Sequence, residues 1–194
     1  ILYLRIKRGI LMKRILIGII AVIMGLSMVA CNKNEEKGSS SQLSSDSSLA
    51  QVESVSKDGV YTSEYGYSVK LPVGWSKVTI ANFMEAFTDG AGNSMSFISG
   101  PTDDIFKSAD EEYFKTEHFA GMGDSVEFIK YKAVEISGNK GHEVVLTSKK
   151  DDVVTYVTQI LLGVGEEIYV FTFTDIEGEN QETIDGLISS LAIN

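Results

Sequence analysis

The chain is poor in cysteine, histidine and positive charge. A single cysteine, Cys31, rules out an intramolecular disulfide. The two histidines, His118 and His142, are too few for a zinc site, which draws several His or Cys ligands at short spacing. Seventeen Lys and Arg face twenty-seven Asp and Glu, for a net charge of −10. Five of the basic residues (Arg5, Lys7, Arg8, Lys13, Arg14) and no acid fall in the first thirty positions, so from residue 31 onward the balance is 12 against 27, or −15. Phosphate binding needs clustered Lys and Arg, so this balance argues against a nucleic-acid partner. No Gly-x-Ser-x-Gly elbow, Gly-x-Gly-x-x-Gly turn or Asp-x-Asp-x-Asp-Gly loop is present. What is abundant is apolar: 43% hydrophobic and 9% aromatic residues, enough for a core of one domain.

Residues 1–30 read as a signal segment outside the fold. A basic stretch ending at Arg14 precedes an almost wholly apolar run over 15–28, and small residues lead to Ala30-Cys31. The uncharged run of 15–30 is shorter than the roughly 20 residues a membrane-spanning helix requires. Met12-Lys13-Arg14 reads as the natural start, with residues 1–11 as an upstream extension.

Met28-Val29-Ala30-Cys31 resembles the lipobox of bacterial lipoproteins: an apolar residue, a tolerant position, a small residue, then cysteine. The resemblance implies diacylglyceryl transfer to Cys31, cleavage before it, and a mature chain held on the outer face of the cell membrane without spanning it. Two acyl chains anchor stably where one gives only marginal binding. Residues 32–58 read as a tether: nine of these 27 residues are serine and none is aromatic. Such a segment buries too little apolar surface to offset its ordering entropy, and its reach is roughly 30 Å. Ser54-Val55-Ser56-Lys57 matches the Ser-x-x-Lys pattern of penicillin-binding enzymes, but no Ser-Asp-Asn or Lys-Thr-Gly follows.

Residues 59–194 form the expected domain, carrying 9 basic against 22 acidic residues, or −13. Tyr67, Val69 and Leu71 alternate with polar residues until Pro72-Val73-Gly74 stops the strand. Segments 83–88 and 94–99 predict a hairpin around Asp89-Gly90-Ala91-Gly92-Asn93. Ser108 and Glu111 have capping-box spacing, predicting a helix to about Ala120 that ends at 121–124. Strands follow over 126–136, 142–148, 153–162 and 168–174, with turns at 139–141, near 149–152 and at 163–167. Ile184, Leu187, Ile188 and Leu191 mark a closing amphipathic helix. In 168–174, Tyr169, Phe171 and Phe173 point one way, and Ile168, Val170 and Thr172 the other. Both faces are apolar, so both should be covered: an α+β antiparallel sheet with helices on both faces.

Tyr67-Ser68-Val69-x-Leu71-Pro72-x-Gly74-Trp75 resembles the opening of PsbP/Mog1-like α/β/α sandwich domains, and the Tyr169–Phe173 strand with its following helix is similar to their end. The resemblance implies an antiparallel sheet between helical layers. Its members include a photosystem accessory subunit, a Ran-binding protein and many bacterial lipoproteins, so it constrains fold better than function.

Few residues stand out as chemistry. Glu111 and His118 lie about 10 Å apart along a helix, too far to share an ion, and both histidines read as ordinary surface or rim residues. The pairs Asp103-Asp104, Asp151-Asp152 and Glu166-Glu167 read as solvated turns rather than Ca²⁺ ligands or acid–base pairs. Gly90-Ala91-Gly92 and Gly163-Val164-Gly165 read as turns. Trp75 is expected to plug one end of the sandwich. The row Tyr169, Phe171, Phe173 could stack bases, but the charge opposes it and core packing is expected. The leading expectation is a membrane-anchored extracytoplasmic lipoprotein, not an enzyme, that binds a protein partner and needs no cofactor or metal. Contacts are expected on the loops at 100–104, with Asp103 and Asp104, and at 121–124. The alternatives are a metal-handling or hydrolytic lipoprotein built from distant carboxylates, or a structural envelope protein.

Overall fold

A computed structural model describes residues 59–119, 122, 125–150 and 152–194. The expected signal segment, Cys31, the tether, the loop residues Gly121, Gly123 and Asp124, and Asp151 lie outside the described residues.

The described residues form ten strands: β1 (Val60–Thr62), β2 (Tyr67–Lys70), β3 (Ser76–Val78), β4 (Glu85–Thr88), β5 (Ser94–Pro101), β6 (Val126–Ile136), β7 (Asn139–Lys150), β8 (Val153–Val164), β9 (Glu167–Ile176) and β10 (Ala192–Ile193). Between β5 and β6 come two short helices, α1 (Asp104–Lys107) and α2 (Glu111–Tyr113), the latter running on as a π-helical turn over Phe114–His118; α3 (Gln181–Ser190) precedes β10. The main sheet has seven strands in the order β3-β4-β5-β9-β8-β7-β6, every neighbouring pair antiparallel. A meander from β6 to β9 returns to pair with β5. A second sheet, β1-β2-β10, joins the two ends of the domain.

The alternation in β9 divides the core as its sequence requires. Phe171 and Phe173 join Tyr67, Val69, Phe87, Phe97 and Ile160 in a cluster with the small sheet and with Ile184 and Leu187 of α3. Ile168 and Val170 face a second cluster with Val144, Leu161, and Phe106, Phe114 and Phe119 of the helical segment. Both faces of a sheet strand are buried only when each meets its own apolar layer. Helix is nonetheless sparse, and β-structure dominates.

Three local expectations are corrected. The β6–β7 turn is Ser137-Gly138, both at positive φ (52° and 79°), the pair of left-handed residues that a two-residue hairpin demands. Asn139–Gly141 instead opens β7, and Gly141 serves close approach: a Cβ there would stand 1.9 Å from the Leu161 carbonyl oxygen. The helix expected from Ser108 starts later. Asp110 caps α2, accepting from the Tyr113 N–H at 2.9 Å, while Ser108 closes α1, an element the sequence pattern did not announce. His142 is no surface residue; it is 9% exposed on β7.

Candidate functional site

The strongest convergence of polar side chains among the described residues surrounds Glu85. Strand β4 places Glu85 and Phe87 on the face toward the small sheet, and Glu85 is 3% exposed. An isolated carboxylate cannot be buried cheaply, so its partners decide whether it is tolerated. Here there are four. Oε1 accepts from the Tyr61 hydroxyl and from Lys77 Nζ, the latter at 2.5 Å. Oε2 accepts from the Ser63 hydroxyl and the Tyr67 hydroxyl, each at 2.6 Å. Lys77 Nζ also donates to the Tyr61 oxygen at 2.9 Å.

Each donor is positioned by packing. The Tyr61 ring on β1 meets Phe87 edge-on at 4.8 Å. The Tyr67 ring on β2 sits 4.8 Å from Phe97 and 5.0 Å from Phe171. Lys77 stands opposite Phe87 in the β3–β4 register and lies over the Tyr61 ring at 5.2 Å. The cluster therefore ties β1, β2 and the turn between them to the β3–β4 edge of the main sheet.

Its electrostatics are those of a closed lock. Burial pushes the Glu85 carboxyl up, but the Lys77 ammonium and the Ser63, Tyr61 and Tyr67 hydroxyls outweigh it and hold the group below its ordinary value. Burial, then the Glu85 charge, pushes the Tyr67 phenol far up, and Tyr61 shifts the same way for the same reasons. Lys77 is opposed by its own desolvation, yet Glu85 and Tyr61 raise it overall. At neutral pH the carboxylate is ionised, the phenols are protonated and the amine is charged. A carboxylate offers about four acceptor positions, and all are filled. This arrangement fastens two sheets together and leaves no lone pair on Glu85 for a substrate or ion.

Comparison with solved structures places the architecture. The domain resembles the solution structure of cyanobacterial PsbP from Synechocystis, with a TM-score of 0.55 and 17% identity over 72% of this chain and 95% of that one. The fold is PsbP-like. Lower scores are found for LpqN of Mycobacterium tuberculosis, described as involved in cell envelope biogenesis (0.44, 9% identity, 66% of this chain and 83% of that one), and for a variant of Mog1 (0.42, 8% identity, 66% and 90%). No family model and no curated protein matches the sequence.

Within this PsbP-like domain the residues singled out from sequence have separate places. Asp103 is the N-cap of α1, its carboxylate accepting the Phe106 N–H at 2.8 Å, and Asp104 is exposed in the first turn. Asp152 is exposed in the β7–β8 turn, 3.8 Å from Lys149, and Glu166 and Glu167 are exposed at the β8–β9 turn. None of these acids joins the Glu85 cluster. Trp75 and Tyr169 are each half-buried against the small-sheet core, and Tyr169 donates to the Tyr65 carbonyl at 2.8 Å. Among the described residues no three or more His, Cys, Asp or Glu gather closely enough to hold a metal ion, and no helix is long and apolar enough to cross a membrane.

The Glu85 lock is the feature that motif reasoning missed. Its signal was present: Glu85 stands two residues from Phe87, on the strand face that carries the core aromatic. A charge in line with core aromatics is the informative kind of buried polar residue.

Proposed function

We propose that this protein is an extracytoplasmic lipoprotein, held to a cell membrane by an acylated Cys31, whose PsbP-like domain acts by binding a protein partner rather than by catalysis. The observation carrying the anchor is the only cysteine of the chain, placed after a basic stretch and an apolar run in Met28-Val29-Ala30-Cys31. The first described strand, β1, is pinned to the main sheet through Tyr61 and Glu85, so a tether ending at residue 58 pulls on a fastened point. A tether of roughly 30 Å keeps the domain within reach of membrane neighbours at raised local concentration.

The finer architectural reading is an α/β/α sandwich. Its support is the two core layers, one receiving Phe106, Phe114 and Phe119 and the other Ile184, Leu187 and Leu191. The −13 charge favours a basic partner surface. Asp104 is the exposed residue of the acidic pair, while Asp103 is occupied as a cap, which narrows the proposed contact to Asp104. The test is crosslinking in intact cells followed by recovery of the protein. A partner lost in the Cys31→Ala chain, which keeps the domain but not the anchor, fits the proposal. Recovery of the same partner at the same yield contradicts it.

A further inference from the structure

The helical segment over the second core cluster is fastened to the sheet by a histidine. His142 on β7 bridges three elements: its Nε2 lies 3.2 Å from the Phe106 carbonyl of α1 and its Nδ1 lies 3.0 Å from the Tyr131 hydroxyl of β6. A carbonyl only accepts, so Nε2 carries a proton, and in the neutral ring Nδ1 then accepts from the Tyr131 hydroxyl. This is the neutral imidazole, fully hydrogen-bonded. The Phe106 ring meets it edge-on at 4.9 Å and the Phe114 ring lies at 5.1 Å.

We propose that His142 is a proton-sensitive latch: mild acid favours lifting of the α1–α2 segment from the sheet and exposes the apolar face of β5, β9, β8 and β7. The segment is a natural place to open. Its helical stretches are short, α1 of four residues and α2 of three continued by the five-residue π turn, too short to hold themselves without their packing. Its grip is Phe106, Phe114 and Phe119 on Ile98, Val144, Leu161 and Val170, plus the His142 bond. Beneath it Gln159 is fully buried, its amide nitrogen 3.3 Å from Thr172 Oγ1 and its oxygen without a hydrogen-bond partner. Swapping the amide ends only changes which atom is left over, so the exposed face would carry an amide able to take a new hydrogen bond.

The linkage has a definite sign. Burial holds the imidazole below its ordinary value, against the smaller opposing pull of the Phe106 carbonyl. The closed state therefore refuses a proton that an open, hydrated His142 accepts. Closure is fully favoured above the ordinary histidine range and weakens as pH falls through it, by about tenfold in the opening equilibrium for each unit of depression. Of the elements packed on His142, β6 offers the Tyr131 phenol, itself raised by burial and by the charges of Asp110 and Glu111 at the start of α2. The adjoining π turn carries His118, whose ring lies 5.0 Å from Phe114.

Hydrogen exchange of the full chain between pH 7.5 and 5.5, corrected for intrinsic rates, tests the latch. The amides of Phe106–Phe119 should open more than about threefold further at the lower pH, while those of β8 stay level. His142→Gln keeps a donor for the Phe106 carbonyl but cannot titrate, and should abolish the difference. His118→Gln should leave it intact. Tyr131→Phe removes the donor to Nδ1 and should move the transition to higher pH, which serves if the glutamine variant does not fold. Parallel loss of protection in β8, an unchanged pH response in His142→Gln, or no movement in Tyr131→Phe overturns the proposal.

Discussion

Tyr67 and Glu85, eighteen residues apart in sequence, meet hydroxyl to carboxylate at 2.6 Å in a fully buried contact between the two sheets. A hydrogen bond to a charged acceptor is worth about 1.5–3 kcal/mol, so Tyr67→Phe should lose that much in denaturant unfolding. Glu85→Ala should cost more, about 3–5 kcal/mol, because it strands the ammonium and three hydroxyls that the carboxylate satisfies. If both variants unfold at the wild-type midpoint, the cluster does not join the sheets.

Two buried carboxylates make opposite contributions with pH. Glu85 has a depressed folded pKa, so its stabilisation is present above the ordinary carboxylate range and lost as pH falls through the folded value. Asp175 is 2% exposed. Burial raises its pKa, hydrogen bonds from the Asn180 backbone N–H and side chain lower it, and the charges of Glu179 and Asp89 raise it again, for a net rise. Its charge is therefore a cost at neutral pH that is relieved as pH falls through the folded value. Asp175→Asn should be at least as stable as wild type at pH 7, with the gap closing on acidification. A variant less stable at pH 7 by a pH-independent amount would refute this assignment.

Gly141 and Gly90 separate steric from conformational demand. Alanine at 141 drives a Cβ into the Leu161 carbonyl across the β7–β8 ladder and should cost about 3 kcal/mol. Gly90 has φ +76° but open space around it, so alanine there should cost about 1 kcal/mol. Thermal unfolding of the two variants should rank them in that order; the reverse ranking would place the close approach elsewhere.

Much of this fold is legible in the sequence because period-two alternation and turn residues report locally. Strand 126–136 matches β6 end to end, and the two faces of β9 follow its alternation. The β1, β3 and β10 strands are two or three residues long, too short to show a period-two pattern, and β10 also pairs far back along the chain, Ala192 against Ser68, so local periodicity cannot announce them. The same holds for the polar cluster. Tyr61, Ser63, Lys77 and Glu85 match no catalytic motif, and only the docking of one sheet on another brings them together. Asp103 shows the converse limit: an acidic pair invites a binding reading, yet one member is spent inside the fold as a cap.

That division gives a separable pair of substitutions. Asp103→Ala should lower stability by about 1 kcal/mol through the lost cap. Asp104→Lys should leave the melting temperature within experimental scatter and weaken capture of a basic partner, more so at low salt. Equal capture by wild type and Asp104→Lys removes this surface from the proposed interface.

Metabolic labelling with an alkyne fatty acid bears most directly on the proposed anchor. Cells expressing the full chain should incorporate label into this protein, and Cys31→Ala should lose it and retain the signal segment, migrating as a larger species. Equal label in both proteins, or none in either, would contradict a lipoprotein anchored at Cys31.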